Sequence, residues 1–144
     1  MAICVFPNYG CVLLDQTPGG CRLEVHIENW PKKDGAVGFH AHEFGDIRSC
    51  DHAGAHYNPT KKKHGGLSGD RHLGDFGNVY IHNGIANQII YAPVTVDELI
   101  GRSLVIHAQE DDLGEGDHPT STETGNSGER VLCGVVGIRK INCD

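Results

Sequence analysis

The stretch Cys21-Arg22-Leu23-Glu24-Val25-His26-Ile27-Glu28 alternates without a break: Cys21, Leu23, Val25 and Ile27 are apolar, and Arg22, Glu24, His26 and Glu28 are polar. Successive side chains of an extended chain point to opposite faces, so the pattern predicts a strand with one face on a core and one in water. Working outward, shorter runs of similar character lie at 3–6, 11–14, 37–42, 78–82, 86–91, 104–108 and 131–138. Pro18-Gly19-Gly20, Asp34-Gly35 and Asn83-Gly84 separate them as turns. About eight short strands with almost no helical periodicity predict an all-β fold, an antiparallel sandwich or barrel.

Composition agrees. At 144 residues the length predicts a single domain, 1–144, large enough to bury a core. Twenty glycines and only 6% aromatic residues suit short strands joined by many turns. The formal charge of −7 argues against a nucleic-acid partner, because phosphate binding needs a basic face. No run approaches the roughly 18 apolar residues of a membrane span. The start, Met1-Ala2-Ile3-Cys4-Val5-Phe6-Pro7-Asn8, has no basic n-region, and the near-match Asn58-Pro59-Thr60 is not a glycosylation acceptor. These readings predict a cytoplasmic protein that engages no membrane. Six cysteines, at 4, 11, 21, 50, 133 and 143, include no Cys-X-X-Cys pair, so neither a thioredoxin-like motif nor a zinc ribbon is indicated.

Histidine is over-represented, with 10 in the chain. His40-Ala41-His42 falls in a predicted strand, where residues i and i+2 share a face and both imidazoles can approach one metal. By itself the pair could equally be a surface feature. Two long segments, 43–76 and 109–130, break the strand rhythm, and loops of that length in a compact domain are usually functional or disordered. The first holds four histidines, among them His56, His64 and His72, and Asp75 follows. Three imidazoles and a carboxylate suit tetrahedral zinc. His107 alternates with Leu104 and Ile106 at the end of a strand, and gains weight only from the others.

Several blocks resemble the copper–zinc superoxide dismutase family, in the family's order and over nearly the whole chain. They are Gly38-Phe39-His40-Ala41-His42-Glu43-Phe44-Gly45-Asp46, Ala53-Gly54-Ala55-His56-Tyr57-Asn58-Pro59, Lys63-His64-Gly65-Gly66, and Arg71-His72-Leu73-Gly74-Asp75-Phe76-Gly77-Asn78-Val79. Gly101-Arg102-Ser103-Leu104-Val105-Ile106-His107 and Gly125-Asn126-Ser127-Gly128-Glu129-Arg130-Val131-Leu132-Cys133-Gly134 complete the series.

The resemblance implies an eight-stranded Greek-key β-barrel with a metal-binding loop at about 43–76 and an electrostatic loop at about 109–130. It implies one copper ion per subunit on His40, His42, His56 and His107, and one zinc ion on His56, His64, His72 and Asp75, so that His56 bridges the two. The implied activity is disproportionation of superoxide to oxygen and hydrogen peroxide, by alternate reduction and reoxidation of copper. Catalytic roles fall to His56, which would carry a proton, and to Arg130, whose cationic fork would orient the anion. Asp111 matches an aspartate linking the outer nitrogens of a copper and a zinc ligand. Cys50 and Cys133 match a disulfide, stabilising by about 3–5 kcal/mol on chain-entropy reasoning.

Partners implied are superoxide, a second copy of the chain meeting it around Glu43-Phe44-Gly45, Ile100-Gly101 and Ile138, and a copper-delivery chaperone. The alternative is a dismutase-like copper chaperone or metal store without turnover. Retention of all the ligand positions and of Arg130 speaks against it.

The chain departs from the family in the electrostatic loop. Pro119 and Thr120 replace an acidic pair, while Glu123 and Gln109 stand where lysine is usual, so steering of the anion should be altered and weaker. Lys61, Lys62 and Lys63 could supply part of a guiding field or be a solvated run. The segment 91–101 is shorter than usual, which bears on a Greek-key connection. Cys4 matches a buried cysteine of some members, whereas Cys11, Cys21 and Cys143 have no family role. His26, His52, His82 and His118 match no ligand and are expected at the surface.

Overall fold

The computed structural model describes residues 1–66 and 68–141. Eight strands run β1 Ala2–Phe6, β2 Gly10–Thr17, β3 Gly20–Ile27, β4 Gly35–His42, β5 Asp75–Ile81, β6 Ala86–Ala92, β7 Ser103–His107 and β8 Arg130–Ile138. All eight predicted strands are present, with ends moved by a few residues. They form one antiparallel sheet in the order β5-β4-β7-β8-β1-β2-β3-β6, the Greek-key arrangement. The two ends of that order, β5 and β6, pack against each other, so the sheet curls into a nearly closed barrel.

Among the described residues the main chains meet between β5 and β6 only at the hairpin, where His82 and Ile85 exchange hydrogen bonds; further along, the side chain of Gln88 joins the strands. Its Oε1 accepts from Tyr80 N at 3.0 Å and its Nε2 donates to the Asn78 carbonyl, also at 3.0 Å.

Alternation fills the barrel. In β3, Cys21, Leu23, Val25 and Ile27 are buried while Arg22, Glu24 and His26 lie on the outer face, as the pattern predicts. Cys4 and Cys21 are buried free thiols and Cys11 is half-buried; Cys143 lies outside the described residues. Phe39 and Phe76, with ring centres 5.3 Å apart, pack β4 against β5 immediately beside His40 and Asp75. Asn83 and Gly84 turn the β5–β6 hairpin with φ of 52° and 74°, the pairing that a two-residue hairpin favours. The Asp34 carboxylate caps that turn, accepting from Asn83 N at 2.7 Å and Gly84 N at 3.1 Å.

The short connection after β6 contains α1, Val96–Leu99, which the strand reading does not anticipate. Thr95 and Glu98 form a reciprocal capping box, and Val96 and Leu99 are buried. A second four-residue helix, α2, spans Ser121–Thr124 in the long loop before β8, and a 3₁₀ turn spans Cys50–Ala53. Among the described residues no helix is long and apolar enough to cross a membrane.

Replacing Phe39 by Ala removes a fully buried ring from the wall beneath His40 and should cost about 3–5 kcal/mol. Urea unfolding of the metal-free protein checks this, with the loss appearing as a lower midpoint.

Candidate metal centre

The strands deliver three histidines to one rim of the barrel, and irregularities in the sheet aim two of them. Register shifts occur between Gly38 and His40 in the β4–β5 pairing, and between Ile106 and His107 in β7–β8. Such bulges turn a side chain away from the direction a regular ladder would give it. His42 keeps the regular direction, and the loop returns to it: His56 forms an isolated antiparallel bridge with His42.

Each strand histidine has one nitrogen occupied and the other bare. His40 Nε2 donates to Asp111 Oδ2 at 2.6 Å, His42 Nδ1 to the Gly54 carbonyl at 2.8 Å, and His107 Nδ1 to the Gly128 carbonyl at 3.0 Å. Their other nitrogens, His40 Nδ1, His42 Nε2 and His107 Nε2, are buried with no hydrogen-bond partner. A proton fixed on one ring nitrogen leaves a lone pair on the other, and buried lone pairs without partners are costly. His40, His42, His56 and His107 each present a ligand atom, all within 4.8 Å of one another. Converging lone pairs whose far nitrogens are held by acceptors are the usual dress of metal-binding histidines.

A second group, His40, His56, His64 and Asp75, meets the same spacing. Asp75 Oδ1 lies 2.9 Å from His56 Nδ1, 2.9 Å from His64 Nδ1 and 3.3 Å from His72 Nδ1. The His64 contact lacks hydrogen-bond alignment, which leaves His64 Nδ1 a further bare nitrogen. His72 is outside this tight group, where the sequence reading included it. Its Nδ1 nonetheless stands 3.1 Å from His56 Nδ1. Asp75 Oδ2 is held by the backbone amides of His72 at 2.8 Å and Gly65 at 3.2 Å.

Asp111 joins the two groups: Oδ2 accepts from His40 and Oδ1 from His64 Nε2 at 2.7 Å. Two residues not singled out from sequence support it. Asn78 Nδ2 donates to the Asp111 carbonyl at 3.0 Å and Asn78 Oδ1 accepts from Asp111 N at 2.7 Å. Gly125, at φ 73°, passes so close that a Cβ would collide with Asp111 Oδ1 and His64 Nε2. Neither position has a sequence signal beyond lying in a quoted block.

Burial governs the protonation of the metal-free cluster. It depresses His40 and His42 far below the ordinary imidazole range, neighbouring His56 adding to the effect, and it brings His107 to about 4. Burial would also lower His64, but the Asp111 and Asp75 carboxylates raise it to about 9. For Asp75 burial pushes upward, yet the His56, His64 and His72 imidazoles gathered around it hold it well below the usual carboxylate range.

A cleft of about 550 Å³ leads to the site, with His56, His72 and Arg130 in its wall. Arg130 Nη1 donates to the Cys50 carbonyl at 3.0 Å, and the Cys50–Cys133 disulfide fixes that carbonyl to β8. Lys62 and Lys63 line the same cleft, opposed by Asp51 and Glu123, and Lys62 Nζ is 3.3 Å from Asp70 Oδ1. His52, His82 and His118 are exposed, and His26 is half-buried on the outer face of β3, away from the cluster.

Residues 8–136 match the sequence model of the family described as copper/zinc superoxide dismutase.

Two pH effects follow for the metal-free protein. Neutral, buried His107, depressed from 6.5 to about 4, loses its stabilising difference as pH falls from 6.5 through 4, by about 3 kcal/mol. The His64 contribution, present below 6.5, is lost as pH rises through about 9. Thermal unfolding of metal-free protein should therefore show maximal stability near pH 6.5. Zinc uptake at neutral pH should release a proton from His64, measurable with an indicator dye.

Proposed function

Since the chain belongs to the copper/zinc superoxide dismutase family, we propose that it is an active dismutase, converting two superoxide ions and two protons to oxygen and hydrogen peroxide. The observation that carries this reading is the set of bare, buried nitrogens on His40, His42 and His107, converging with His56 at the end of an open cleft. Copper would be held by His40, His42, His56 and His107, and zinc by His56, His64, His72 and Asp75. When bound, copper supplies the one-electron acceptor and donor that disproportionation needs, and zinc, without redox chemistry, supplies fixed charge.

The chain's own residues supply the rest. Arg130 spends one N–H on the Cys50 carbonyl, and its remaining donors face a small anion entering the cleft. His56 has Nδ1 engaged with Asp75 and His72, so Nε2 is the nitrogen at which a proton can be held for the departing peroxide. Asp111 fixes the tilt of His40 and His64 through their outer nitrogens.

A second copy of the chain would cover Phe44, Ile100 and Ile138, which are 52%, 37% and 81% exposed. Large exposed side chains of this kind favour a protein partner. Sedimentation of the metal-loaded protein should give twice 15.6 kDa, and a single 15.6 kDa species at moderate dilution would count against the dimer.

The direct test follows superoxide decay after pulsed generation, with protein carrying one copper and one zinc per chain. Second-order catalysis well above a free-copper control, abolished by His40→Ala, is the expected outcome. Full metal occupancy without turnover would favour metal storage or delivery instead. Because Lys62, Lys63 and Arg130 are opposed by Asp51 and Glu123, the rate should fall only shallowly as salt rises.

A further inference from the structure

Beside the metal centre, Tyr57, Glu98 and Arg102 close a circuit that none of the roles above uses. The Tyr57 hydroxyl donates to Glu98 Oε1 at 3.2 Å, and Arg102 Nε donates to the Glu98 carbonyl at 2.8 Å. The Arg102 guanidinium carbon stands 4.1 Å from the centre of the Tyr57 ring. Arg102 Nη1 also reaches the Glu43 carbonyl at 3.0 Å, and Glu98 Oε2 is engaged by Thr95 at the start of α1. Tyr57 is buried in the core cluster.

What this circuit grips is the residue after His56. The segment through His56 is extended and paired to the end of β4: Glu43 N donates to the Ala55 carbonyl at 2.9 Å, and Tyr57 N to the Ala41 carbonyl at 2.8 Å. Consecutive side chains of an extended segment project to opposite sides. A rotation of the segment about its own axis that freed Tyr57 would swing His56 through the same angle. The main chain ties the same residue into a three-membered ring: Gly74 N donates to the Tyr57 carbonyl at 2.9 Å and Ala41 N to the Gly74 carbonyl at 2.8 Å. Ala41 lies between His40 and His42, and Gly74 immediately precedes Asp75. A cavity of about 400 Å³ bordered by Ala55, His56, Tyr57 and Arg102 leaves the segment room to shift once its grip is lost.

We infer that Arg102 and Tyr57 are positioning residues for His56. The Arg102 fork, clamped on the carbonyls of Glu43 and Glu98, holds the Tyr57 ring and so sets the direction in which His56 presents its imidazole. This rests on the reading of His56 as the ligand shared by the two metals. Arginine is required rather than a mere cation, since only a planar fork can stack on a ring while donating to two carbonyls.

The test replaces zinc by Co(II), whose visible absorption reports the geometry of its ligands. Arg102→Lys should shift that spectrum and weaken cobalt binding about tenfold, the lower end of what loss of an outer support costs a metal site. Tyr57→Leu should reproduce the shift, and the double variant should add nothing to it. Tyr57→Phe, which keeps the ring under the guanidinium, should stay close to the wild-type spectrum. If Tyr57→Leu fails to fold, Arg102→Lys alone decides. Spectra of the variants that superimpose on wild type, with only a lower unfolding temperature, would overturn the inference while leaving the proposed function standing. Wild-type protein that takes up no cobalt would overturn both.

Discussion

Two buried carboxylates, Asp75 and Asp111, organise four of the six clustered imidazoles, those of His40, His56, His64 and His72. A carboxylate in the interior survives only with several donors, and here each finds them: Asp75 on His56 and on the amides of Gly65 and His72, Asp111 on His40, His64 and the amide of Leu113. Those bonds choose which nitrogen of His40 and His64 faces outward. The inner nitrogens of His40, His42 and His107 then have no protein partner at all. The site is thus an arrangement the chain would not adopt for its own stability, and a rigid barrel rim with a disulfide beside it is what makes the arrangement tolerable.

The two long loops are joined to one another as well as to the barrel. His64 N donates to the Thr122 carbonyl at 2.9 Å, and Asp112 Oδ1 accepts from Ser121 Oγ at 2.8 Å where the second loop folds back on itself. Lys32, between β3 and β4, pairs with Glu129 at 3.3 Å, just ahead of Arg130. Arg130 is therefore tied directly to the Cys50 carbonyl and, through its neighbour Glu129, to Lys32.

The barrel was legible in the sequence because period-two alternation is local, and β3 displays it over its whole length. The candidate ligands were legible in part. His40-Ala41-His42 carries its own geometric meaning, and His56, His64, His72 and Asp75 suggested a zinc site by their chemistry within one long loop, but His107 acquired meaning only from the company of the others, which folding alone brings to it. Asn78 and Gly125 stayed silent for the same reason: their task is set by Asp111, distant in sequence from Asn78 and met only after folding. Lys61, Lys62 and Lys63 could not be told apart from a solvated run, and the fold separates them by putting Lys62 and Lys63 in the wall of the cleft. The α1 capping box at Thr95 and Glu98 was written in the sequence but marks a single turn, too short for any periodicity to show.

The seam between β5 and β6 has a meaning beyond closure. An open sheet exposes two rows of unpaired amides and carbonyls, each a template on which a foreign strand can grow. Proteins commonly blunt such rows with lysine or proline, yet DFGNVYI and ANQIIYA contain neither. Turning the two rows toward one another makes each the other's guard, and one glutamine side chain keeps the gate. Safety from strand-on-strand growth thus lies in the curvature of the sheet rather than in the composition of its borders.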